Sequence, residues 1–386
     1  MKALRKLINN IKPTFSKGGK LGFLHSTFDA FEAFLYVPDT VTKRGVHVRD
    51  SIDLKRTMTI VIIALMPALL FGLWNVGYQY NLSTGSSLEF WEMFWFGFLK
   101  VLPLIIVSYV VGLGIEFASA QIRGHEVNEG FLVSGLLIPL IMPVDVPLWI
   151  LALAVAFAVI VGKEVFGGTG MNIWNPALLA RAFVFFAYPS KISGDTIWIA
   201  GLTDGKGVID GFSGATALAN AKAGMPIPSF SDMFLGFMPG SIGETSTLAI
   251  LIGAVLLLYT GVASWKIMLS TFAGGFLTAL LLNALSPGPD SYMSMPAWNH
   301  MVMGGFAFGA VFMATDPVTG TQTEKGKWIY GFLIGAMAIV IRVFNPGYPE
   351  GMMLSILLLN TFAPLIDHYV VESNIKRRLK RAANNK

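Results

Sequence analysis

Between Thr57 and Val371 the chain returns repeatedly to long apolar runs, and that recurrence limits its fold more than any other feature. A bilayer core offers no water to backbone amides and carbonyls, so only helices and closed barrels cross it. Runs approaching 20 apolar residues, without two-residue alternation, indicate helices. Ten are read, at 57–77, 94–116, 129–142, 147–166, 174–190, 247–262, 266–284, 300–314, 327–343 and 351–371. The charged fraction of 13% is about half that of soluble domains, which excludes an ordinary soluble enzyme. The net charge of +5 sits mainly at the two ends, so it speaks for orientation in a membrane rather than for nucleic acid. The expected class is all-α integral membrane protein.

Positive charge fixes the sides. Residues 1–56 carry 11 Lys/Arg against 5 Asp/Glu, and residues 372–386 carry 6 Lys/Arg against Glu372 alone. Both termini are therefore expected in the cytoplasm, which demands an even number of crossings. The connections 78–93, 143–146, 285–299 and 344–350 lack Lys and Arg and face outward, while those bearing Arg123, Lys163, Lys266, Lys325 and Lys327 face inward. Cysteine is absent, which removes disulfides and thiolate-held clusters from this chain. The expected divisions are a basic cytoplasmic segment 1–56, a first membrane unit 57–190, an outer loop 191–246, a second unit 247–371 and a basic cytoplasmic tail 372–386.

The two units resemble each other. GFLVSGLLIPLIMP (130–143) precedes a full span and then NIWNPALLARAFVFFAYP (172–189), while GGFAFGAVFMATDP (304–317) precedes a full span and then FNPGYPEGMMLSILLLNTFAPLID (344–367). Each half places Asn-Pro before its last helix. Five crossings per half is odd, so the halves would be inverted repeats, an architecture of transporters and channels.

DGFSGATALA (210–219) lies in the outer loop. Small residues leave the Thr216 hydroxyl open either to cap a helix or to accept a modifying group. Asp-Gly-x-Ser-Gly-Ala-Thr resembles the flavinylation motif of membrane subunits that carry FMN as a phosphoester on threonine. VTKRGVHVRDSIDLKRTM (41–58), GHEVNEGFLVSGLLIPL (124–140), GKEVFGGTGMNIWNPALLARAFVFFAYP (162–189), ATDPVTG (314–320) and FAPLIDHYVVESNIKRR (362–378) extend the likeness. Together they resemble the B subunits of the Na⁺-translocating NADH:quinone reductases. The resemblance implies a fold like that of urea and ammonium transporters and a place in a six-subunit complex of the bacterial inner membrane. It implies covalent FMN on Thr216, attached by a flavin transferase for which Asp210, Ser213, Gly214 and Ala215 form the recognition motif. It further implies noncovalent riboflavin, ubiquinone as acceptor and a sodium path. Two alternatives stay open: the D subunit of the related ferredoxin:NAD⁺ reductase complex, and a flavin-free channel or transporter for a small polar solute.

Ionisable groups within apolar runs are costly and are functional candidates by default. Asp367, Glu126, Glu129 and Asp316 are assigned to the sodium path, because hard cations take oxygen ligands. Glu116, Glu164 and Arg342 read as helix-end residues at the interface or as structural ion pairs. Arg181 falls mid-run and needs a carboxylate, a flavin carbonyl or a phosphate as partner. Asn172 and Asn175, beside the glycines of 167–170, are either flavin contacts or helix caps. Gly130 and Gly135 are assigned to quinone contact by resemblance, as is the stretch 41–56. Phe28, Phe31, Phe34 and Tyr36 either cover a lipophilic headgroup or anchor an interfacial helix.

Overall fold

The computed structural model describes the chain apart from residues 1, 17, 37–41, 49–51, 124–129, 206–208, 210–211, 289–290, 346–349 and 385–386. Every regular element among the described residues is helical. Two N-terminal helices, α1 (Lys2–Phe15) and α2 (His25–Leu35), are joined by a Phe15–Phe28 ring stack at 4.9 Å and a Lys12–Glu32 ion pair at 2.8 Å. Phe31 of α2 meets Phe117 at 5.9 Å, which lays this segment along the end of α4 (Phe90–Arg123).

The helix preceding it, α3 (Leu54–Thr84), begins where the Asp53 carboxylate accepts from Arg56 N at 3.0 Å and ends at Gly85, whose φ is 61°. A capping carboxylate and a left-handed glycine are the expected terminators of a helix. After α4 come α5 (Phe131–Leu140), α6 (Leu148–Ile160) and α7 (Pro176–Ala187). The second half holds α10 (Thr247–Tyr259), α11 (Trp265–Ala284), α12 (Ala297–Val302), α13 (Phe306–Phe308) with a π-helical turn at Gly309–Met313, α14 (Glu324–Phe344) and α15 (Met352–Asn384). Each of the ten expected runs contains helical residues, though the run at 300–314 is broken at Met303–Gly305. Among the described residues six helices are long and apolar enough to cross a membrane, and α5, α7 and α10 are shorter apolar helices.

Part of the packing of the first half recurs in the second, although the α3–α4 pair has no comparable counterpart between α10 and α11. α4 packs on α5 and α6, as α11 packs on α12 and α14; α6 meets α7, as α14 meets α15; α3 meets α5, as α10 meets α13. Contacts of α3 with α10 and of α7 with α15 join the halves. α11 and α14 pack in close backbone contact. A Cβ on Gly274 would lie 2.1 Å from Phe332 O, and one on Gly335 would lie 2.0 Å from Thr271 O, so only glycine lets the backbones meet there.

The described residues of 191–246, expected as an outer loop, are folded against the bundle. They contain α8 (Ala217–Lys222) and α9 (Phe230–Leu235), whose Leu218 and Met233 pack with Met295, Val302 and Met303. Gly243 N donates to Leu140 O at 2.7 Å, so the loop satisfies a carbonyl at the end of α5. α5 has ten residues, about 15 Å of helix, half of a bilayer core. An exposed carbonyl at that depth is tolerated only when protein caps it.

Arg342 corrects an expectation. It does not reach an interface: it is fully buried and donates to His300 O at 2.7 Å, Met303 O at 3.0 Å and Gly304 O at 3.3 Å. Those carbonyls end α12 at the break before α13, where Gly304 and Gly305 have φ of 59° and 68°. A planar fork of donors suits carbonyls left free by a broken helix. Glu116 is buried and pairs with Lys163, while Glu164 pairs with Arg123 at 3.6 Å, so these two acids are held in ion pairs.

Candidate functional site

Two cavities sit at opposite ends of α10. The larger, about 460 Å³, touches Ser241, Glu244 and Thr245 just before the helix; the smaller, about 100 Å³, touches Leu257, Val262 and Ala263 at its far end. The helix has 13 residues, about 20 Å of rise. The buried segment Phe306–Met313 is packed within the same core, and its Phe312 lines the smaller cavity.

The larger cavity is lined by Thr216, Arg181, Lys222, Glu244, Thr245 and Glu350 among others. Thr216 is the N-cap of α8, its Oγ1 accepting from Ala219 N at 3.3 Å. The oxygen keeps a second lone pair and its proton, so capping and esterification are compatible. Ser213 is exposed and its Oγ accepts from Ala215 N at 3.3 Å. Gly214 and Ala215 are buried, and a Cβ on Gly214 would fall 2.3 Å from Asp195 O. The glycine is thus fixed by close approach to the neighbouring backbone. Asp210 lies outside the described residues.

Arg181, 1% exposed, finds carboxylates as partners. Nη1 donates to both oxygens of Glu244 at 3.0 Å, and Nη2 pairs with Glu350. One guanidinium therefore ties α7 to the turn before α10 and to Glu350, two residues before α15, three segments far apart in sequence. Lys222 Nζ donates to Asn345 O, and burial lowers its amine from the ordinary lysine value. Thr245 Oγ1 has no hydrogen-bond partner although the residue is 3% exposed.

The smaller cavity gathers Asn172, Asn175, Asp316 and Gly130 with Lys163 and Thr169. Asn175 caps α7, its Oδ1 accepting from Ala177 N at 3.0 Å and Leu178 N at 3.3 Å, with Pro176 opening the helix. Its Nδ2 donates to Asp316 Oδ2 at 3.1 Å. Asp316 also accepts from Thr319 Oγ1 at 3.1 Å and Val318 N at 3.0 Å. Asn172 Nδ2 donates to Trp174 O at 3.1 Å. Asn172 and Asn175 thus stand with Asp316, while Arg181 stands with Thr216 at the other cavity.

Asp367 lines neither cavity. It accepts from Gln322 N at 2.7 Å, Thr323 N at 3.0 Å and Thr323 Oγ1 at 2.6 Å, fastening α15 to the turn before α14. Glu126 and Glu129 lie outside the described residues. Gly135 is buried, where a Cβ would meet Tyr109 Cε1 at 2.7 Å; at Gly130 a Cβ would meet Thr169 Cγ2 at 2.5 Å. Sequence reasoning missed Glu244, Glu350, Lys222 and Thr245. The only prior signal was that a mid-run Arg181 requires a carboxylate or another acceptor.

A model of the NQR2, RnfD, RnfE family matches residues 41–376. The B subunit of the Na(+)-translocating NADH-quinone reductase of Chromohalobacter salexigens is 47% identical over 406 aligned positions, covering 98% of this chain and 97% of that protein. Its counterparts from Azotobacter vinelandii and Pseudomonas aeruginosa are each 46% identical, covering 98% of this chain and 99% of their own length.

Proposed function

The chain belongs to the NQR2, RnfD, RnfE family, and from that membership we propose that it is the flavin-bearing B subunit, integral to the membrane, of a Na⁺-translocating NADH:quinone reductase. The observation that carries the flavin reading is the placement of Thr216: the last residue of DGFSGAT presents its hydroxyl to a cavity of about 460 Å³. That volume lies within the ~300–1,000 Å³ of small-molecule sites. The lining also supplies a lysine, and a hydroxyl that has no partner. Those groups fit a phosphate-bearing polyol ligand.

In this reading a flavin transferase esterifies FMN to Thr216, and the other subunits deliver electrons. Bound FMN supplies electron acceptance and release; the chain supplies position and electrostatics. Thr216 anchors, and Arg181 with Glu244 and Glu350 holds the cavity wall without net excess of positive charge. Ubiquinone is the acceptor of the complex, with Gly130 and Gly135 as its contacts on this chain. The smaller cavity, at about 100 Å³, is too small for riboflavin's ring system, so no electron step is routed through it.

That smaller cavity suits a bare cation better. Asp316 offers a carboxylate on its lining, and Na⁺ prefers oxygen ligands of that kind. Asp316, with Glu126, Glu129 and Asp367, forms the proposed sodium path. The partly recurring packing is in keeping with two five-helix repeats and ten crossings, the family resemblance supports a urea-transporter-like fold, and the positive charge at both ends supports both termini in the cytoplasm of a bacterial inner membrane.

Mass spectrometry of the peptide spanning 207–222 tests the flavin reading. The expected peptide is heavier by FMN less water; an unmodified peptide from a chain matured with its transferase overturns it. The sodium path has a separate test. Asp367→Ala is expected to weaken sodium stimulation of quinone reduction while leaving the covalent flavin in place. Sodium dependence equal to that of the unaltered protein removes Asp367 from the path and leaves it the fastening of α14 to α15.

A further inference from the structure

Two polar groups on the larger cavity are short of partners. Thr245 Oγ1, buried in the turn before α10, makes no hydrogen bond. Buried hydroxyls are nearly always paired, so an orphan on a cavity wall points to a ligand. Lys222 is the second group. Its Nζ donates to a backbone carbonyl, that of Asn345, and no carboxylate among the described residues pairs with it. Arg181, on the same cavity, is held by both Glu244 and Glu350. Among the described residues, Arg181 is thus paired with two carboxylates and Lys222 with none, although Asp195 also lines the cavity.

Lys222 stands on the same short helix as the threonine. Thr216 caps the start of α8 and Lys222 is its last residue, six positions on. A phosphodiester on Thr216 would carry one negative charge into a cavity where the Lys222 ammonium has no carboxylate partner among the described residues. Charge-assisted hydrogen bonds from lysine to phosphate are among the stronger polar contacts a protein makes. Thr245 comes from a different segment and carries no charge, so it suits a polyol hydroxyl rather than a phosphate oxygen.

Resting on the reading that Thr216 carries FMN, we propose that the larger cavity is a two-part flavin subsite. Lys222 is the counter-ion of the phosphate, and Thr245 hydrogen-bonds the ribityl chain. The two parts make separable demands: Lys222 distinguishes FMN from riboflavin, whereas Thr245 treats them alike.

The test uses the full-length Thr216→Ala chain in detergent, which cannot be esterified, titrated with free FMN and free riboflavin. FMN is expected to bind at least about tenfold more tightly, the size of one hydrogen bond to a charged group. Adding Lys222→Met should bring FMN down to the riboflavin value and leave riboflavin unchanged. Lys222→Arg should preserve the preference, which guards against mere misfolding of the Met variant. Thr245→Val should weaken both flavins by the same severalfold factor. Equal binding of the two flavins to Thr216→Ala, or no binding of either, overturns the subsite. Equal weakening of both by Lys222→Met removes the phosphate assignment, and unchanged binding by Thr245→Val removes the polyol assignment. These failures are distinct from failure of the FMN reading, which is decided by the mass of the 207–222 peptide in the unaltered chain.

Discussion

A Thr216→Ala chain is expected to run through a denaturing gel without flavin fluorescence, while accumulating in the membrane in normal amount. The two halves of that expectation have different physical sources. Losing the hydroxyl removes the N-cap of α8, which accepts one amide at 3.3 Å. Removal of such a cap costs about 1 kcal/mol, small beside the burial that holds α8 through Ala217 and Leu218. The fold therefore survives, but the oxygen that would be esterified is gone. NADH-driven quinone reduction should fall to background, since the hydroxyl that anchors the flavin is lost. Two companion substitutions separate cap from anchor. Thr216→Asn restores a good capping oxygen and should still run dark. Thr216→Ser keeps a hydroxyl in the same position and should retain some fluorescence. A bright Thr216→Asn band would show that the flavin is attached elsewhere.

How much of this was legible in the sequence depends on the range of the interaction. Helix positions were readable because the bilayer imposes length and apolarity on each run separately, so no partner had to be known. The caps Asn175 and Thr216 were readable for the same reason, since a cap acts within three residues. Interactions between distant segments were not. Asp367 reads as an isolated acid in an apolar helix, yet its oxygens are taken by amides some 44 and 45 residues earlier. Arg342 looks like a helix-end cation, and only the break at Gly304 and Gly305 explains why carbonyls await it deep in the bundle. The folding of 191–246 was hidden as well. Its composition is loop-like, and what buries it is the set of carbonyls and apolar faces that the short helices α5 and α12 leave open.

Arg181 carries the second large effect. Arg181→Met is expected to lower the thermal midpoint of the detergent-purified chain by an amount corresponding to about 3–5 kcal/mol, the usual cost of stripping one partner from a buried ion pair. The size follows from what is left behind rather than from what is removed. Glu244 and Glu350, with side chains 10% and 15% exposed, would face each other's charge with the guanidinium gone. Arg181→Lys should fall between, because an ammonium cannot serve two carboxylates with a planar fork. Neutralising the acids as well, in Arg181→Met with Glu244→Gln and Glu350→Gln, should recover most of the loss, since an uncharged cluster carries no unpaired ion. That recovery separates electrostatic relief from the packing of a long side chain, which the triple variant does not restore. The location of the effect matters as much as its size. Arg181 is the point where α7 of the first half meets the segments that precede α10 and α15 of the second. Melting of Arg181→Met at the midpoint of the unaltered chain would mean that the halves are docked by their apolar contacts alone, and that the wall beneath Thr216 needs no ionic clamp.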